Sequence, residues 1–131
     1  MKTVDWYQTL IRPVWAPPAW LFGPVWSVLY ILIAVSFGYV VYLFLAKKIS
    51  FIVLLPFILN LVFNLAFSPI EFGLNNLVLG SLDIVLTLAT LIWALLVIYP
   101  YTKWVSFMNV PYLLWVCFAT ALQLNITVMN I

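Results

Sequence analysis

The sequence predicts an all-α integral membrane protein, a helical bundle of four transmembrane helices, and three observations predict it. Of its 131 residues, 68% are hydrophobic and 6% are charged, whereas an ordinary soluble domain carries roughly 25% charged residues. The few charges punctuate the chain instead of covering a surface. Between them lie four apolar runs, each long enough for the ~20 residues that cross a hydrocarbon core as a helix.

The elements follow in order. Residues 1–19 form a tryptophan-rich loop. It lacks a continuous apolar stretch of the kind that marks a cleavable signal peptide, so none is expected. The predicted spans are 20–46, 49–70, 77–99 and 104–129 within a single transmembrane domain. The third contains Asp83; the others carry no charge. Inside lipid a chain must satisfy its own backbone hydrogen bonds, which favours helices. Runs this long also lack the alternation of a membrane barrel. The breaks are Lys47-Lys48, 71–76 and 100–103, short enough to make sequential helices antiparallel neighbours. Pro24, Pro56 and Pro111 fall near helix starts, where proline shapes the first turns. Lys2 and Arg12 then share a side with both termini, and Lys47, Lys48 and Lys103 occupy the other. By the positive-inside rule this one-charge difference points the termini outward.

Composition also restricts function. A net charge of +2 gives no basis for a nucleic-acid partner. Histidine is absent, which removes the commonest general base and metal ligand. Cys117 is the single cysteine, so no disulfide forms within the chain. No metal site and no acid-base constellation for hydrolysis is expected. The polar residues inside the spans fall into stripes at helical spacing: Asn60, Asn64 and Ser68; Asp83, Thr87 and Thr90; Thr120, Gln123, Thr127 and Asn130. Such stripes face the bundle, either as hydrogen bonds between helices or as the lining of a ligand cavity. Asp83 is expected to pair with a partner such as Arg12, to cap backbone or to hold a proton. Interfacial aromatic belts account for Trp6, Trp20, Trp26 and Trp104. Trp115 lies deeper, three turns into its span, on one helical side with Tyr112 and Ala119. The small Ala119 leaves room beside the indole for a flat apolar ligand or for a neighbouring helix.

Several motifs then stand together. Trp6-Tyr7 is followed by RPVWAPPAWLFGPVWSVLY from Arg12 to Tyr30, by NLVFNLAFSPIEFG from Asn60 to Gly73, by Asp83, and by PYLLWVCFATAL from Pro111 to Leu122. Over nearly the whole chain this resembles the tryptophan-rich sensory protein family, also called translocator protein or peripheral benzodiazepine receptor. Members normally have five helices. Only five residues precede Trp6 here, so the family's first helix is expected to be missing. Gln123 stands where the family usually has Asn. The basic tail and the aromatic-plus-Arg pattern associated with cholesterol in animal members are not found, so cholesterol binding is not expected.

The resemblance implies a membrane receptor or carrier for hydrophobic planar ligands such as porphyrins, acting in tetrapyrrole sensing or transport. The implied pocket lies beneath the loop before the first span. Trp15 and Trp20 match loop tryptophans, Asn60 and Asn64 a polar pair, and Trp115 and Ala119 the wall of the last helix. Phe22 and Trp26, in the same motif run, complete the implied set. Without histidine a bound haem would lack its usual axial ligand, so the expected ligand is a metal-free porphyrin, with no resident cofactor. The resemblance further implies a homodimer, for which Ala34 and Gly38 offer a small-residue contact, in contact with membrane lipid. A prokaryotic cell membrane is the expected location, with an organelle membrane as the alternative. The competing functions are light-dependent porphyrin breakdown, in which tryptophans act as redox partners, a small four-helix exporter, and a structural role. Four-helix exporters place a Glu in their first helix, and residues 20–46 contain no acid.

Overall fold

The computed structural model describes residues 10–17 and 19–130, and all regular structure among them is helical. A 3-10 turn, Ala19–Leu21, leads into α1 (Phe22–Leu45). Then come α2 (Phe51–Ser68), a π-helical turn (Pro69–Gly73), α3 (Leu77–Ile98), α4 (Lys103–Met108) and α5 (Val110–Asn130). Helices α1, α2, α3 and α5 are each long and apolar enough to cross a membrane. The protein is therefore an all-helical integral membrane bundle.

Local chemistry sets the helix ends. Lys47, at φ 62°, turns the chain out of α1 in a left-handed conformation. The Lys48 N–H then donates to Leu43 O at 2.8 Å and the Lys47 N–H to Phe44 O at 2.9 Å, the paired bonds of a Schellman ending. Helix α3 starts on Asn76, whose Oδ1 accepts from the Leu79 N–H at 2.9 Å and so satisfies an otherwise orphaned donor. Pro24 sits in the first turn of α1, where its missing N–H costs nothing. The end of α2 widens, with the Leu74 N–H donating to Pro69 O at 3.1 Å.

The last apolar run differs from the single helix expected over 104–129. It divides at Asn109 into α4 and α5. Pro111 has no N–H for the Phe107 carbonyl, and its ring crowds that carbonyl. Asn109 covers the break: its Nδ2 donates to Val105 O at 2.8 Å, and its own carbonyl accepts from the Leu113 N–H at 2.9 Å.

Helix α3 lies at the centre, packed broadly against α2 and α5, whereas α1 meets α2 and α4 along narrower seams. The apolar core runs from Ile33, Phe37 and Val40 of α1 to Phe57 of α2 and Leu91, Ala94 and Ile98 of α3. The Phe37 and Phe57 rings meet edge to face, 4.9 Å apart. Large apolar side chains such as Ile31, Ile52, Leu96 and Val128 point outward, as lipid-facing residues should. Lipid gives no hydrophobic drive between helices, so close packing and polar contacts define the inside.

The polar stripes obey that rule with two exceptions, both at span ends: Ser68, and Asn130, which is half-buried. Asn60, Asn64, Asp83, Thr87, Thr90, Thr120, Gln123 and Thr127 are all buried. Ser68 is exposed, contrary to the stripe reading. As the last residue of α2 it sits at the boundary of the span, where nothing forces a hydroxyl inward.

Candidate ligand site

The loop before α1 is held across the end of the bundle by a residue at the far end of the chain. The Ile11 N–H donates to Asn130 Oδ1 at 2.9 Å, and Asn130 Nδ2 returns a bond to Ile11 O at 2.7 Å. This two-way clasp imitates a strand pairing with one side chain. Beneath it, Leu10 and Ala16 of the loop pack with Phe22, Leu77 and Phe118 around the buried Leu122 and Ile126. An open cleft of about 440 Å³ lies along the loop, lined by Leu10, Arg12, Pro13, Ala16 and Pro17.

Aromatic rings continue inward from the loop. Trp15 meets Phe118 at 5.7 Å, Phe118 lies 5.5 Å from Trp115, and Trp115 meets Phe22 at 5.8 Å. The edge-on angles of the Trp15 and Phe22 contacts, 66° and 67°, are those favoured by ring quadrupoles. Trp115 is half-buried, yet its indole Nε1–H is fully buried without an acceptor. A buried donor left unpaired costs about 1–3 kcal/mol. Trp26 begins a second aromatic group, 6.4 Å from Tyr112 and 5.5 Å from Tyr30. It packs inward, so the interfacial-belt reading does not describe it.

Below Trp26 the side-chain hydrogen bonds form a directional chain. Tyr30 Oη donates to Asn64 Oδ1 at 2.8 Å, and Asn64 Nδ2 donates to Tyr112 Oη at 2.6 Å. Tyr112 Oη donates to Asn60 Oδ1 at 2.9 Å, and Asn60 Nδ2 donates to Thr87 O at 2.8 Å and Thr90 Oγ1 at 3.3 Å. Four spans meet in this chain: α1 through Tyr30, α2 through both asparagines, α3 through Thr87 and Thr90, and α5 through Tyr112. The donors of Asn60 are fully engaged. Asn64 keeps one N–H not used in these bonds. The pair thus bridges helices, and through Tyr30 and Tyr112 it touches the aromatic group at Trp26.

Of the residues expected at the site, Trp15, Phe22 and Trp115 share one aromatic line, and Trp26, Asn60 and Asn64 share the adjoining polar-aromatic group. Ala119 is half-buried one turn beyond Trp115. Trp20 stands apart, 71% exposed in the 3-10 turn. Trp6 lies outside the described residues. Sequence reasoning read Asn130 only as part of a bundle-facing polar stripe, not as the residue that clasps the loop, and it missed Tyr30 and Phe118. Phe118 was within reach of it, three residues from Trp115 and therefore a neighbour on a helix surface. Asp83 is 5% exposed, and its Oδ2 has no hydrogen-bond partner.

Chemically, this arrangement offers flat apolar faces, one unused indole donor and a polar floor. Among the described residues no cluster of three or more His, Cys, Asp or Glu side chains could hold a metal.

Comparison with known proteins agrees with this architecture. The chain is 35% identical over 130 residues to "Tryptophan-rich protein TspO" of Chlorobaculum tepidum, covering 98% of this chain and 82% of that protein. It is 36% identical over 126 residues to "Protein CrtK" of Rhodobacter capsulatus, covering 95% and 78%. The human "Translocator protein" is 32% identical over 118 residues, covering 78% and 68%. The sequence profile of the TspO/MBR family matches residues 1–129. With a match of that extent, the chain belongs to the TspO/MBR family.

Proposed function

We propose that this protein is a membrane receptor or carrier for planar hydrophobic ligands of the porphyrin class. The observation that carries the reading is Trp115, an aromatic surface between Phe22 and Phe118 with an indole N–H that lacks an acceptor. A macrocycle entering beside Trp115 gains ring stacking, and a polar substituent on it gains the waiting N–H. Ala119 leaves the space for its edge, and the Asn60–Asn64 group forms the floor. The sequence resemblance to tryptophan-rich TspO proteins supports the same ligand class.

A spectral titration of the purified protein with a metal-free porphyrin tests this. Aromatic stacking contributes about 1–3 kcal/mol per ring, so Trp115→Leu should weaken binding by roughly 5- to 150-fold. Ala119→Phe should block the site sterically. Unchanged affinity in both variants would remove this wall from the site, and no binding in the parent protein would remove the function.

A second reading, light-dependent porphyrin breakdown, draws on the spacing of the Trp15, Phe118, Trp115 and Phe22 rings. Loss of porphyrin absorbance in light, absent in the dark and abolished in Trp115→Phe, would favour it over simple binding. A prokaryotic cell membrane is part of this reading, which the bacterial relatives at 35–36% identity support. A homodimer is also part of this reading. Ala34 and Gly38 face outward on α1, and a crosslink between copies at Ala34→Cys would report it.

A further inference from the structure

The opposite end of the bundle has a different chemistry. Lys47 and Lys48 follow α1 and are both exposed, and Lys103, also exposed, begins α4. The three lysines lie at the same end of the bundle, where α1 ends and α4 begins, and the two helices meet further in through Tyr39 and Trp104, 4.9 Å apart. The Lys103 ammonium rests 5.7 Å from the centre of the Tyr99 ring. Among the described residues the acids are Glu71 and Asp83, and both belong to the other end, in the π-helical turn and the second turn of α3. Among the described residues the lysine rim therefore has no carboxylate beside it. Nor are the ammonium groups needed for the last α1 carbonyls, since Leu43 and Phe44 already accept backbone N–H groups.

Amphipathic rings surround these charges. Tyr42, Tyr99, Tyr101 and Trp104 are each 43–55% exposed, and such residues collect at the level of lipid headgroups. Among them, Leu45 and Phe107 are strongly exposed and apolar. Ammonium groups at the end of the bundle are thus followed inward by exposed aromatic and apolar side chains, which matches a phospholipid from headgroup to chain.

We propose that this rim is a binding surface for anionic phospholipids, with the acidic headgroup and phosphodiester among Lys47, Lys48 and Lys103 and the acyl chains against Leu45 and Phe107. The bilayer, not free phosphate, is the source, because the exposed aromatic and apolar side chains have no role for a soluble anion. The proposal is independent of the porphyrin site.

Native mass spectrometry of the full chain, released from mixed micelles of phosphatidylglycerol and phosphatidylcholine, tests it. Phosphatidylglycerol should be retained in preference. Each lysine near an anionic surface contributes roughly fivefold, so the triple variant Lys47→Gln, Lys48→Gln, Lys103→Gln should lose about a hundredfold. The triple Lys→Arg variant should retain the preference. Raising the salt concentration should strip phosphatidylglycerol from the wild type, which keeps the test decisive if the glutamine variant fails to fold. Inorganic phosphate at matched ionic strength should displace no more lipid than chloride does. Equal retention of the two lipids by the wild type, undiminished preference in a folded glutamine variant, or specific displacement by phosphate would overturn the proposal.

Discussion

Helix α1 and the unit formed by α2, α3 and α5 are all apolar enough to cross a membrane, yet they are held in different ways. The three-helix unit is joined at several depths by buried polar bonds: Asn60 to Thr87 and Thr90, Ser81 to Thr127 at 2.6 Å, and Gln123 to Leu77 O at 3.3 Å. Among the described residues helix α1 contributes two side-chain hydrogen bonds to its neighbours, Tyr30 to Asn64 at 2.8 Å and Ser36 with Asn109 at 2.9 Å. Its other contacts are apolar, among them Ile33 and Val40 in the core, Trp26 on Tyr112 and Phe37 on Phe57. Lipid supplies no hydrophobic drive between helices, so close packing and polar bonds hold them together. By both, α2, α3 and α5 form the more firmly held unit. The candidate ligand wall lies where the lightly held helix meets the firmly held one, since Phe22 belongs to α1 and Trp115 to α5.

The largest way to break this contrast is Asn60→Leu. It leaves the Tyr112 hydroxyl proton without its acceptor and removes the Asn60 donor from the Thr87 carbonyl, which keeps Thr90 Oγ1, and a buried polar group left unpaired costs about 1–3 kcal/mol. Reversible unfolding in mixed micelles should show the whole bundle destabilised. A change confined to α1 would contradict the assignment of Asn60 to the firmly held unit. Next comes Asn76→Ala, which removes the start of α3 and should cost about 1 kcal/mol, read in the same assay. Tyr30→Phe sharpens the comparison at smaller scale. One intramembrane hydrogen bond averages about 0.6 kcal/mol, so amide exchange in α1 should rise roughly threefold while α3 stays unchanged. Equal acceleration in both helices would show that α1 does not move by itself. The smallest effect belongs to Lys47→Gly. It relieves the left-handed conformation at φ 62°, partly offset by the freer unfolded chain, and should raise stability by about 0.5 kcal/mol without affecting the helices.

Much of the fold is legible in the sequence because a membrane imposes a length. The four runs, their breaks and the inward stripes at Asn60, Asp83 and Thr120 follow from charge position and helical spacing. The division at Asn109 is less legible. Pro111 marks the place, but whether proline bends or divides a helix depends on its surroundings, here Asn109, whose side chain bonds back to Val105 O and across to Ser36. Trp26 illustrates a deeper limit. Near the start of a span a tryptophan fits an interfacial belt equally well, and the helix crossing alone turns it toward Tyr112. The chain from Tyr30 to Asn60 joins residues 34 and 52 positions apart, so no local pattern encodes it. At the candidate site the motif run locates Trp15, Phe22 and Trp115. It gives no sign that Trp20 stands outside, because adjacent loop positions differ only in the direction the backbone turns them.

The clasp between Ile11 and Asn130 also orders the protein's biogenesis. Its two ends are separated by 119 positions, so a chain emerging from the ribosome inserts α1, α2, α3 and α4 before the loop has anything to fasten to. The roof of the candidate pocket is complete only after synthesis of α5. Ligand binding then becomes a certificate of finished insertion: ribosome-stalled chains lacking α5 should bind no porphyrin, and Asn130→Ala should leave a fully synthesised bundle whose loop is no longer tied to its last helix.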